Sequence, residues 1–229
     1  MYLSSADCTI EYANSNQLQQ DHPCVLNLIQ NNYLRLPAPN NLPYRMDHPE
    51  VMDPSDGQSE AILKILQNKP NGFFIECGGY DDGEFLSNTL YMKRSLGWNG
   101  LLIIEADRKA YTFDILEKVD EHQVTFEMGT ERQAETTKDT TENIYKVQCF
   151  PMYPILLAIG RTHVDYLRLD VEGLEYKILR TIPWHKVYMQ RLTVEWNHTP
   201  EGEPVLTQLM QDNIISSSSV LFHCCKPEK

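Results

Sequence analysis

The sequence predicts an α/β fold built on a mainly parallel sheet. Three observations predict it: short, wholly apolar runs that end in acids, helix-length spacers between them, and a glycine turn after the first run. Gly72-Phe73-Phe74-Ile75-Glu76-Cys77-Gly78 and Gly100-Leu101-Leu102-Ile103-Ile104-Glu105-Ala106-Asp107 share this grammar. A strand that is apolar throughout must be covered on both faces, so helices are expected on either side of the sheet.

Residues 1–53 read as an extended polar lead-in, rich in Asn, Gln and Pro, with one short helix around Val25 to Leu34. Residues 54–229 read as the folded domain, and a chain of 229 residues suits one such domain. Asp56 and Ser59 are candidate caps for a helix through Ala61 to Leu66, and Lys69-Pro70-Asn71-Gly72 is a turn. Glu84 to Leu96 reads as the helix between the first two strands, with Leu86 and Leu90 on one face and Lys93 and Arg94 near its end. A helix from Arg108 to Val119 follows, and Gly129 to Asn143 reads as a mobile polar loop. Asp165 to Val171 is a strand, then a helix runs from Leu174 until Pro183 ends it. Arg191 to Trp196 is a further strand, with a short helix around Val205 to Gln211 before a serine-rich tail.

Composition removes several function classes. The chain carries 20 Lys+Arg against 32 Asp+Glu, a net charge of -12, and lacks the basic footprint that nucleic-acid binding leaves. The same acidity argues against adsorption to an anionic membrane. A mean hydropathy of -0.43 and the lack of a long apolar run argue against a membrane span, and no signal peptide opens the chain. Taken as complete, the chain is expected to be soluble or cytoplasmic. A small neutral or cationic ligand, or a protein partner, fits this charge.

The six cysteines are Cys8, Cys24, Cys77, Cys149, Cys224 and Cys225. No C-x-x-C pair and no Cys/His cluster has zinc spacing, so no metal is expected. Cys77 belongs to a buried strand, and Cys149 precedes Pro151, so the two are not expected to pair. Cys8 and Cys24 could bridge in an oxidising compartment, and the sequon Asn197-His198-Thr199 is compatible with a secretory route.

The chemistry is expected at the strand ends. Ligands of open α/β sheets bind at the carboxyl ends of the strands, near the point where strand order reverses. Glu76 with Gly78 and Gly79, Glu105, and Asp170 with Glu172 all stand there. The glycines let backbone approach a ligand, and an acid ending the second strand is placed to accept from both ribose hydroxyls. Asp81 and Asp82 in the glycine loop would repel a pyrophosphate, which disfavours NAD. A cofactor with an amino group and a sulfonium, S-adenosylmethionine, fits instead.

These residues resemble a known family. Gly72 to Tyr91 (GFFIECGGYDDGEFLSNTLY) followed by Gly97-Trp98-Asn99-Gly100 resembles the FkbM-type methyltransferase domain, in particular its animal Star-like branch. Asp170-Val171-Glu172-Gly173-Leu174-Glu175, Thr181 to Trp184 and Leu192 to Glu195 are similar to the family's second signature. The resemblance implies a class I S-adenosylmethionine-methyltransferase-like, Rossmann-like three-layer sandwich, incomplete here at the third strand and the C-terminal hairpin. It implies that Glu76, Gly78 and Gly79 form the methionine-binding loop, that Glu105 is the ribose acid, and that Tyr80 stacks on the cofactor or covers the first helix. It points to Asp170, Glu172 and Glu195 as catalytic candidates for methyl transfer to a hydroxyl, with Glu172 and Glu175 equally readable as helix-capping acids. The Star-like branch implies instead, or in addition, a module that escorts client proteins between endoplasmic reticulum, Golgi and endosome. His198 is readable as a base or as a surface histidine, and Trp98 and Trp184 as packing residues. Arg168 shares a face with Asp170 by alternation, and a buried arginine there must find an acid.

Overall fold

The four apolar runs are the strands of one all-parallel sheet in a computed structural model. It describes residues 8–35, 43, 46–55, 57–79, 84, 86–104, 111–113, 128–133, 146–171 and 173–213. The elements are α1 (Ile10–Ser15), α2 (Pro23–Asn32), α3 (Gln58–Ile65), β1 (Phe73–Gly79), α4 (Leu90–Leu96), β2 (Asn99–Ile104) and β3 (Tyr111–Phe113). There follow β4 (Met128–Gln133), β5 (Lys146–Gln148), α5 (Met152–Ala158), β6 (His163–Leu169), α6 (Glu175–Leu179), β7 (Tyr188–Val194) and α7 (Gly202–Asn213). The chain divides into two units.

One unit comprises residues 43–110, 163–176 and 188–229 and holds the parallel sheet, in the order β2-β1-β6-β7. Strand order reverses between β1 and β6, the switch point of such a sheet. This is the α/β core with a parallel sheet that the sequence predicts, and its strand order agrees with the fold that the resemblance implies. Phe74 stands opposite Tyr166, Glu76 opposite Arg168, and Arg168 opposite Thr193. Neighbours in register share a face, so this face has two tiers. The lower tier is apolar: Phe74 and Tyr166 pack with Ile62, Leu63 and Leu66, Met92 of α4, and Trp98. Trp98 is fully buried and its indole N–H donates to the Lys69 carbonyl at 2.6 Å, a packing role. The upper tier is polar and lies at the carboxyl ends.

At the opposite end of the sheet, Asp165 is buried and accepts from Lys69 Nζ at 2.5 Å and from the Phe73 amide at 2.7 Å. One carboxylate thus ties β6 to the start of β1.

Three local expectations are corrected. The helix expected over 84–96 begins only at Leu90. Leu86 takes a φ of 52°, and Ser87, Asn88 and Thr89 bond to Glu76 rather than continue a helix. That helix ends as expected at Gly97, with Lys93 and Arg94 in its last turn. Ser59 is not a cap: α3 starts after Gly57, the Ser55 hydroxyl accepts from the Ser59 amide at 2.9 Å, and the Ser59 hydroxyl donates to the Asn88 carbonyl. Asp56 lies outside the described residues. Tyr111–Phe113 and Met128–Gln133 are strands, not helix and loop; they pair antiparallel, which gives their backbone a ladder that local propensity does not foretell. The segments 119–124 and 214–229, which bear on the third strand and the hairpin, lie outside the described residues.

The other unit comprises residues 1–42, 111–162 and 177–187. Its apolar cluster joins Ala13 of α1, Val25 and Ile29 of α2, and Ala158 of α5. The helix expected at 25–34 runs over Pro23–Asn32, with proline in its first turn where no amide partner is needed. The α1 helix, capped by the Thr9 hydroxyl, is an element that composition did not suggest. Cys8 and Cys24 form a disulfide, with Cα atoms 5.4 Å apart. Cys77 and Cys149 are not disulfide partners. The β3-β4-β5 sheet completes this unit. Among the described residues, no helix is long and apolar enough to cross a membrane.

Burial has a consequence for pH. It pushes the Cys77 thiol from 9.0 up to about 12, aided by the Glu76 carboxylate and opposed by Arg168. It also pushes the Tyr166 phenol from 10.0 up to about 12, against the hydrogen bond with Thr193. Both groups keep their protons longer in the folded chain than in the unfolded one. Stability is therefore expected to fall steadily as pH rises through about 9 to 12. Urea midpoints across that range check it, and Cys77→Ala should flatten the slope near pH 9–10. A thiol so shifted is also no nucleophile.

Candidate active site at the ends of the central strands

Glu76 closes the apolar run of β1 and is buried to 1% exposure. A carboxylate there needs donors, and the chain ahead of α4 supplies them. The Ser87 hydroxyl donates at 2.9 Å, the Asn88 amide at 2.8 Å and the Thr89 hydroxyl at 2.5 Å. Arg168 Nη1 lies 3.9 Å away. Glu76 thus fixes how the chain leaves the glycine loop and enters α4.

Gly78 takes a φ of 83°, and a Cβ at this position would lie 1.5 Å from the Asp170 carbonyl oxygen. The β1–β2 register shifts between Cys77 and Gly79, so that Gly79 stands opposite Ile104. Glycine here serves the close approach of β1 to the end of β6. The Asp170 amide also donates to the Cys77 carbonyl at 3.3 Å.

Asp170 follows β6 and accepts from Arg168 Nη2 at 2.5 Å, the acid that the buried arginine needed. Glu175, fully buried, accepts from the amides of Val171 at 2.9 Å and Gly173 at 3.0 Å, and from the Thr199 hydroxyl at 2.8 Å. It holds the turn after Asp170 and sits in the first turn of α6. Glu195 follows β7; its amide donates to the Leu169 carbonyl at 3.0 Å, and its carboxylate lies 3.7 Å from the His198 ring. His198 is mostly exposed.

Gln58, Arg168, Leu169, Asp170, Thr193, Val194 and Glu195 wall a cleft of about 50 Å³. Ligand oxygens of Asp170, Glu175 and Glu195 come within 4.8 Å of one another. This wall accepts hydrogen bonds, which suits hydroxyl and amine donors and disfavours anions. Tyr166 links the tiers, its hydroxyl 2.8 Å from that of Thr193.

The structure thus brings Asp170 and Glu195 to one cleft, with Glu76, Gly78 and Gly79 beside it on β1. Tyr80, Glu105 and Glu172 lie outside the described residues; β2 is described to Ile104, opposite Gly79. The sequence reading gave no site role to Gln58, Thr193 and Thr199. Thr199 carried a signal only as part of a sequon, yet its buried hydroxyl is committed to Glu175. The Ser87-Asn88-Thr89 run did carry a usable signal, since such residues just before an apolar helix mark its start.

No curated protein and no solved structure matches the chain significantly. The family model described as the Methyltransferase FkbM domain matches residues 76–216, from the acid of β1 to just past α7, and so takes in the switch point and every wall of the cleft except Gln58. With more than half of its length matched, and with the strand order and glycine turn of that fold, the chain belongs to the FkbM methyltransferase domain family.

Proposed function

We propose that this chain transfers a methyl group from S-adenosylmethionine to a hydroxyl oxygen. The observation that carries this reading is the pairing of Asp170 and Glu195 on one cleft, beside the glycine turn at the switch point. When bound, the cofactor supplies an electrophilic methyl on a sulfonium. The residues fit it: the acceptor-rich wall suits its amino group and ribose hydroxyls, and Asp81 and Asp82 add no site for a phosphate. Gly78, Gly79, Tyr80 and Glu105 would hold it. Glu76, whose oxygens are already engaged by three donors, serves by ordering that loop rather than by touching the ligand. Asp170 or Glu195 would orient the acceptor hydroxyl and take its proton. Glu172 shares that candidacy.

Titration calorimetry with S-adenosylmethionine tests the reading. Glu105→Ala should weaken binding by roughly ten- to a hundredfold, since a charge-assisted pair is worth about 1.5–3 kcal/mol. A folded wild-type protein that gives no heat of binding at millimolar cofactor would end the reading.

The Cys8–Cys24 disulfide favours a second reading, a luminal, Star-like module serving endoplasmic reticulum-to-Golgi or endosomal traffic of a client protein, because disulfides persist in oxidising compartments. Differential alkylation of the two cysteines in protein taken from cells decides it: reduced thiols there would count against a luminal site.

A further inference from the structure

We propose that Arg168 is a positioning residue that locks the donor side of the cleft to its acceptor side; the inference rests on the methyl-transfer reading above. Arg168 lies on a central strand between two fully buried neighbours, Leu167 and Leu169, where an apolar residue would be the simpler choice. Its side chain is 11% exposed, and its nitrogens go to separate segments. Nη2 donates to Asp170 at 2.5 Å, on the cleft wall. Nη1 lies 3.9 Å from Glu76, the acid that orders the chain leaving the glycine loop. With the side-chain amides of Asn88 and Gln58 both turned by 180°, the Asn88 oxygen accepts from Arg168 Nε at 3.1 Å and from the Gln58 amide nitrogen at 2.5 Å.

One guanidinium thus spans β1, the segment ahead of α4, and the end of β6. A planar fork with five donors in fixed directions can do this, whereas an ammonium is a single compact charge. Among the described residues, Arg168 is the cation within 4.0 Å of both Glu76 and Asp170. Loss of the fork frees Asp170 to turn and leaves the Glu76 anchor without its counter-charge. The donor loop and the acidic wall then no longer hold one fixed relation.

The test is calorimetric binding of S-adenosylhomocysteine to wild type, R168M, R168K and R168A, each at a temperature where it is fully folded by circular dichroism. R168M is expected to weaken binding about tenfold or more, and R168K, which keeps charge but not the fork, to fall several-fold short of wild type. Guanidinium ion at low millimolar concentration, far below denaturing levels, should restore part of the affinity of R168A. Equal affinity in wild type and R168M, with only the melting temperature changed, overturns the positioning role and leaves the methyl-transfer reading intact. A folded wild type that binds no S-adenosylhomocysteine overturns that reading and this role with it. Should R168M fail to fold, R168K decides alone: wild-type affinity in it overturns the proposal, and a several-fold loss supports it.

Discussion

Gly78→Ala is expected to abolish folding of the parallel-sheet unit or to cost more than about 4 kcal/mol, the range reserved for severe single changes. Two penalties coincide at this position. The φ of 83° is a left-handed conformation that disfavours any side chain, and the new Cβ would sit 1.5 Å from the Asp170 carbonyl oxygen. Backbone atoms at a strand junction cannot yield as a flexible side chain can, so β1 and β6 would have to part. Gly57→Ala supplies the control. Its φ of 85° is nearly the same, but nothing lies within 4 Å of the added methyl. It should cost only the conformational penalty, about 1–2 kcal/mol. Urea unfolding of both variants separates clash from strain, and equal losses in the two would show that the close approach to Asp170 has no energetic consequence.

Glu76→Ala should be nearly as damaging, at about 3–5 kcal/mol, because it removes one partner from a buried charged network. Ser87, Asn88 and Thr89 would lose their acceptor in a region that is itself buried, and each orphaned donor is expensive. Arg168 would keep Asp170 but lose Glu76. Glu76→Gln should fall between, since an amide keeps the shape but can accept at one oxygen only. The urea midpoint reads the size of the loss. Amide exchange at Asn88 should rise out of proportion to the global change, since that amide bonds to the carboxylate directly. A global loss under about 1 kcal/mol for the alanine variant would refute the network argument.

The sheet was legible because apolar runs bounded by glycine and acids carry their own periodicity, and all four strands fall where those runs are. The acids that follow β6 and β7 were legible for the same reason, since a strand end is where a ligand meets an open sheet. The start of α4 was misread because the apolar spacing from Glu84 onward satisfies a helix and outweighed the Ser87-Asn88-Thr89 start signal; Glu76, more than ten residues back, holds those three residues out of it. Thr199 was opaque in the same way, since its partner Glu175 is 24 residues away. Gln58 belongs to a short segment similar to the lead-in of Star-like chains, but its place on the cleft comes from the packing of α3, which local sequence does not announce. The glycine at 78 also answers a need that no local pattern shows, the close approach of the Asp170 carbonyl.

The order β2-β1-β6-β7 also governs when the protein can fold during its own synthesis. β1 and β2 emerge together with the helix between them, and their ladder can form at once. The other edge of β1 must wait, because the first residue of β1 and its anchor Asp165 are 92 positions apart in sequence. At about 5–20 residues per second, a ribosome takes roughly 5–20 seconds to cover that distance. Throughout that interval β1 presents an unpaired, apolar edge that invites pairing with another chain. Once β6 arrives, Arg168 meets Glu76 and Phe74 meets Tyr166 in a single docking step, so ladder, core and polar tier close together. The nascent chain is thus most exposed to aggregation between the second strand and the sixth, and a chaperone acting on it would find its substrate in that window.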